Sequence, residues 1–168
     1  MDKNAALEED IRRLAEQERL LRLPRFGPDE AWALGAIVRE IALARGAPIA
    51  IDISLRDRVL FHCALPGSTT DNAEWIRRKC NTVLRLWRAS YAVGRSLALS
   101  GRTLEEAHML PGSDYAAHGG GFPLTLEGLG CIGAITVSGV PQREDHCIVA
   151  EALAAFLKVD IAGCRLDA

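Results

Sequence analysis

The sequence predicts an α+β domain in which helices are layered around an antiparallel sheet, and three observations carry that expectation. Two pairs of β-rich runs are each separated by only a few turn-forming residues, Arg56-Asp57-Arg58 in one and Glu127-Gly128 in the other. Tight turns join antiparallel neighbours, whereas parallel strands need a long crossover between them. The rest of the chain is mostly long segments with apolar residues three and four apart, so helices come in blocks around the hairpins and do not alternate with single strands. At 168 residues the chain is expected to form a single domain, 1–168, large enough to bury most of its apolar surface.

Taken in order, residues 2–22 read as a charged amphipathic helix with Leu7, Ile11, Leu14 and Leu21 on one face. Leu23-Pro24-Arg25-Phe26-Gly27-Pro28 interrupts it, and Pro28 suits the first position of a second helix carrying Trp32, Leu34, Ile37, Val38 and Ile41. Gly46 is a natural stop for that helix. Ile49–Leu55 and Val59–Ala64 form the first hairpin, and Leu65–Thr70 is loop. A long helix is expected from Asp71, as its N-cap, to Leu99. The second hairpin covers about 122–127 and 130–137, and a last helix runs from Pro141 to about Val159.

Composition narrows the function classes. With 25% charged residues and a net charge of −2, the chain has no bulk drive toward nucleic acid or an anionic membrane. It shows no charged-then-apolar leader and no apolar run near ~20 residues, so neither secretion nor membrane spanning is expected. The five cysteines are odd in number and never form a C-x-x-C pair, as expected of free thiols in a reducing cytoplasm. No spacing such as H-x-x-x-H or H-E-x-x-H assembles a metal site.

The segment Asp114–His146 carries the strongest motif. Three consecutive glycines, Gly119, Gly120 and Gly121, follow His118 and lead into Phe122-Pro123-Leu124-Thr125-Leu126, a strand. Phosphate-cradling glycines open a helix, so these read as backbone that bends sharply or approaches something closely. His118 is the best placed histidine for a ligand or proton shuttle, with Asp114 four residues earlier to fix its tautomer; the plainer alternative is that it holds the glycine turn by bonding backbone. These two are the catalytic candidates, and no substrate suggests itself. His62 reads as a packed or edge histidine, and Asp52 as a group turned to the opposite sheet face from Ile51 and Ile53, either lining a cleft or, the favoured reading, bonding a neighbouring loop.

On the expected long helix, Arg77, Arg78, Arg85, Arg88 and Arg95 fall within an arc of about 100°, opposite Trp75, Ile76, Val83, Trp87, Tyr91, Gly94 and Leu97. Such a guanidinium stripe is a solvated face, a subunit contact, or an anion site. Glu8, Glu9, Asp10, Glu16 and Glu18 of the first helix are candidate partners in a homo-oligomer.

The run GGGFPLTLEGLGCIGAITVSGVPQREDH, together with PIAIDISL, LFHCALPG, DNAEWIRRKCN and DYAAHGGGFP, resembles the haem-degrading HbpS-like family. That family includes the domain appended to PduO-type corrinoid adenosyltransferases and the GlcG-like proteins. The resemblance spans about residues 26–158. It implies a three-layer α/β/α sandwich, self-association into homo-oligomers, and haem or a related tetrapyrrole as the ligand class. A binding pocket would then draw on Trp75, Arg78, Lys79 and Asn81 of one segment and Tyr115 and His118 of the other. A structural or partner-binding oligomeric module without catalysis is the alternative.

Overall fold

In the computed structural model, which describes residues 3–167, four antiparallel strands form one sheet in the order β2-β1-β4-β3. The strands are β1 (Ala50–Leu55), β2 (Val59–Ala64), β3 (Gly121–Leu126) and β4 (Gly130–Ser138). Both hairpins expected from the sequence are present, and β1 pairs with β4 to join them. Residue 2, placed at the start of the first helix, lies outside the described residues; α1 runs over Lys3–Leu20.

Register sorts the side chains between two faces. Ile51 lies opposite Val137, Ile53 opposite Ile135, and Ile135 opposite Phe122, so these residues share one face. That face packs against α2 (Pro28–Ala44) and α6 (Gln142–Leu157) through Leu34, Val38, Ile148, Val149 and Leu153. Gly35 is what brings α2 so close to β2: a Cβ there would sit 2.6 Å from the Phe61 ring. The other face carries Asp52, Thr136 and Ala134 and is covered by α3 (Thr70–Leu86). Helices on both sides explain why β1 and β4 are buried almost throughout. The three-layer arrangement is therefore present. Pro123 is tolerated because β3 is an edge strand.

The long helix is corrected. It begins at Thr70, with Thr69 as N-cap, while Asp71 instead accepts the indole N–H of Trp75 at 3.0 Å. It does not reach Leu99: Trp87 takes a left-handed conformation (φ 56), and α4 (Ser90–Ser100) restarts in a new direction. Trp87, expected in the core, is 54% exposed. The short α5 (Leu104–His108) follows. The break is held from outside, since Glu18 of α1 accepts the Ala89 N–H at 2.8 Å.

Losing the continuous helix also takes Arg88 and Arg95 out of the arginine stripe and leaves Arg77, Arg78 and the exposed Arg85 on α3. Arg77 is bonded to Glu74 and Asp114, Arg78 lies 4.2 Å over the Trp75 ring, and Arg95 lies 4.8 Å over Tyr91. Arg88 meets Glu18 at 3.5 Å within the same chain. Three more acids of α1 are likewise used internally, Glu9 by Arg12 and Arg13, Glu16 by Arg19 and Asp10 by Arg143. Asp52 does turn away from Ile51 and Ile53, but it bonds neighbours in the sheet and not a loop: Ser54 Oγ at 2.5 Å and His62 Nδ1 at 3.4 Å. No described helix is long and apolar enough to cross a membrane.

Candidate functional site

Asp71, Trp75 and Lys79 are spaced by four along α3, which stacks them on one side of the helix. Opposite them the chain returns in the loop 112–120, stapled to α3 by several bonds. Asn81 Nδ2 donates to Asp114 O at 2.8 Å, Arg77 to Ser113 O at 2.7 Å, and Ala116 N–H to Thr82 Oγ1 at 3.1 Å. Between the two lies a cleft of about 240 Å³, closed at its base by Ser138, Gly139 and Val140 at the end of β4 and by Gln142 and Asp145 of α6.

The glycines make this convergence sterically possible. A Cβ on Gly119 would lie 1.7 Å from the Gln142 carbonyl oxygen, and one on Gly120 would lie 2.3 Å from that of Val137. Gly120 also has φ +121, a conformation that L side chains rarely adopt. The expectation of close backbone approach is met, and the triplet brings His118 to the cleft. The turn is held by the His118 backbone carbonyl, which accepts Ser90 Oγ–H at 2.5 Å, not by the imidazole.

The imidazole of His118 is exposed at the cleft and packs edge-on against Trp75, with ring centroids 4.9 Å apart. Among the described residues neither of its nitrogens has a hydrogen-bond partner. Burial, with the neighbouring Lys79 and Arg78 charges adding to it, lowers its pKa, so it is neutral at pH 7 with a free lone pair. Asp114, expected to orient it, is instead bonded to Arg77 at 3.0 Å.

The base of the cleft holds what the sequence did not suggest. Lys79 is 2% exposed, and its ammonium donates to Asp145 Oδ2 and to the Val137 carbonyl, both at 2.9 Å. Asp145 also accepts the Val140 N–H at 3.2 Å. Burial raises the Asp145 pKa to about 6 and lowers that of Lys79, with their mutual attraction opposing both shifts. Lys79 was expected to meet a ligand; its charge is already spent on Asp145. Of the other expected pocket residues, Trp75 and His118 line the cleft, Arg78 covers the outer face of Trp75, and Asn81 and Tyr115 do not line it.

Next to Asp145, His146 is fully buried and shares a 2.8 Å hydrogen bond with Gln17 of α1; burial pushes its pKa down to about 3. It ties α6 to α1 and faces no cleft.

A family model described as haem degrading protein HbpS-like matches residues 26–154, most of the chain. The chain belongs to the HbpS-like family. Its relatives include a UPF0303 protein of Rhizobium leguminosarum bv. trifolii, 50% identical over 161 residues and covering 96% of this chain and 97% of that one. A UPF0303 protein of Paraburkholderia phymatum is 53% identical over 157 residues, 94% of this chain and 95% of its own. Among solved structures, the Ybr137w protein superposes with a TM-score of 0.81 at 31% identity, over 95% of this chain and 98% of that one. The PduOC:haem complex gives 0.66 at 21% identity, over 77% and 94%. At that identity the PduOC likeness bears on fold alone, and the HbpS-like fold matches the three layers described above.

Proposed function

We propose that this HbpS-like protein is a small-molecule-binding protein whose ligand is held at the Trp75–His118 cleft, with haem or a related tetrapyrrole as the ligand class. The observation that carries this reading is His118: a neutral imidazole at the cleft, with both nitrogens unengaged among the described residues, beside an aromatic wall. Such a group would serve as a nitrogen donor to a haem iron. The cleft itself, at about 240 Å³, is smaller than the ~300–1,000 Å³ of pockets that enclose drug-sized ligands. His118 would therefore supply the iron donor and Trp75 a flat apolar wall, with Arg78, stacked on Trp75, a guanidinium for a carboxylate. Lys79 would position the cleft through Asp145 and not touch the ligand. The haem iron would supply any redox chemistry, and no reaction is assigned to the side chains. The five free cysteines suit a reducing cytoplasm.

Haem titration followed at the Soret band tests the reading. The wild-type protein is expected to shift the band and saturate, and His118→Ala to weaken binding about tenfold or more with a changed Soret position. A wild-type spectrum equal to that of free haem, or a His118→Ala spectrum equal to wild type, overturns it.

Self-association is supported by the β2 edge more than by arginines. β3 is covered by Leu23, which bridges to Leu126, but β2 has no outer neighbour among the described residues and carries neither a charged residue nor proline in VLFHCA. Uncovered edges normally have such guards. Beside it stands Trp32, 70% exposed and packed edge-on to Phe61, and its own first residue, Val59, is exposed. We place a contact between two copies there. Light scattering is expected to give a multiple of 18.2 kDa, and the double variant Trp32→Glu/Val59→Lys to fall to the single-chain mass. An unchanged mass in the variant removes this contact.

A further inference from the structure

A second cavity, of about 900 Å³, opens on a different side of α6 from the His118 cleft. At about 100° per residue, Gln142 and Asp145 turn toward the cleft, whereas Glu144, Cys147 and Glu151 turn toward this cavity. Its other walls are Arg13 of α1, Arg45 after α2, and the C-terminal segment 162–167. The volume falls within the ~300–1,000 Å³ typical of pockets that enclose small organic ligands.

Most of its charges cancel in place. Arg13 is paired with Asp167 at 2.9 Å, Arg45 with Glu151 at 2.5 Å, and Arg143 with Asp10 at 2.7 Å. Two opposite charges are left over. The exposed Arg165 guanidinium and the half-buried Glu144 carboxylate have no hydrogen-bond or ion-pair partner among the described residues, and they do not pair with each other. Glu144 sits in the first turn of α6. The lining as a whole, which includes Cys147, Pro141 and Leu166, exposes more apolar than polar surface.

One unpaired cation, one unpaired anion and an apolar lining describe the complement of a zwitterion with an apolar body. A simple anion would be repelled by Glu144, and a simple cation by Arg165. We propose that this cavity binds short apolar peptides with free termini, the ammonium meeting Glu144, the carboxylate meeting Arg165, and the side chains lying on Cys147, Pro141 and Leu166. The site is separate from the His118 cleft and does not depend on what binds there.

Calorimetry with the dipeptide leucyl-leucine, and with its N-acetylated and C-amidated forms, tests the proposal on the full chain. Each blocked form is expected to bind about tenfold more weakly, the worth of one charged hydrogen-bonded contact. Both side chains are unbonded in the free protein, so Arg165→Ala and Glu144→Gln should fold normally. Arg165→Ala should bind the amide and the acid equally, and Glu144→Gln should bind the acetylated and free forms equally. Saturating dipeptide should slow alkylation of Cys147, read by peptide mass spectrometry, and leave that of Cys63 unchanged. Absence of binding at millimolar dipeptide overturns the proposal. So does equal binding of the free and blocked forms, or unprotected Cys147 at saturation.

Discussion

Lys79→Met is expected to destabilise the protein by about 3–5 kcal/mol at pH 8, the cost of leaving a buried carboxylate without its partner. The ammonium of Lys79 is the only cation bonded to Asp145 among the described residues, at 2.9 Å, and both side chains are almost fully buried. The loss should depend on pH, with a definite sign. Even with Lys79 present, burial holds the Asp145 pKa at about 6, above its ordinary value, so the folded state favours the protonated acid. Removing Lys79 removes the group that opposes this shift and drives the pKa higher. The penalty for the variant is then full above that raised value, shrinks as the pH falls through it, and vanishes below about 6, where Asp145 is protonated in both folded proteins. Denaturant melts of both proteins at pH 4.5 and pH 8 should show the gap narrowing toward acid. Adding Asp145→Leu to Lys79→Met should recover much of the loss at pH 8, because an apolar pair needs no compensating charge. A Lys79→Met protein as stable as wild type at both pH values would show that the pair is not buried in solution.

Gly119→Ala should be the most disruptive single methyl in the chain. Its Cβ would stand 1.7 Å from the Gln142 carbonyl oxygen, a backbone atom that cannot rotate away. Either the 115–120 loop lifts from α6 or α6 shifts, and the expected cost is about 3 kcal/mol, the upper end of overpacking penalties. The loop carries His118, so haem binding should weaken together with stability. Gly112→Ala is the control: nothing lies within 4 Å of its added Cβ, and its melting should stay within about 0.5 kcal/mol of wild type. A melt for Gly119→Ala equal to that of Gly112→Ala would contradict the packing of the loop against α6.

Elements bounded by strong local signals are legible in the sequence. Pro28 opens α2, Gly46 (φ 62) follows its end, and Gly128 and Gly130 shape the second turn with positive φ. The alternation Ile51-Asp52-Ile53 sorts those three residues to their faces, and the glycine triplet marks a close approach. What fails is local continuity. Nothing in Leu86-Trp87-Arg88-Ala89-Ser90 breaks a helix by propensity, yet the helix ends there, because Glu18, 71 positions from Ala89, takes the freed N–H. The arginine stripe is a correct projection of a helix that does not continue.

The cleft is half legible for the same reason. Trp75 and Lys79 share a helix side, and that follows from spacing; His118 stands beside a glycine run, and that follows from composition. That Lys79 serves Asp145, 66 positions away, and that Asp114 serves Arg77, 37 positions away, follow from neither. The sequence by itself determined the antiparallel α+β layering and the glycine loop that presents His118, because periodicity, turn chemistry and glycine sterics act over a few residues. Only the tertiary structure decided which charges are spent and which stay free. A charge finds its partner across the fold, and desolvation decides the pairing only once the layers have closed around it.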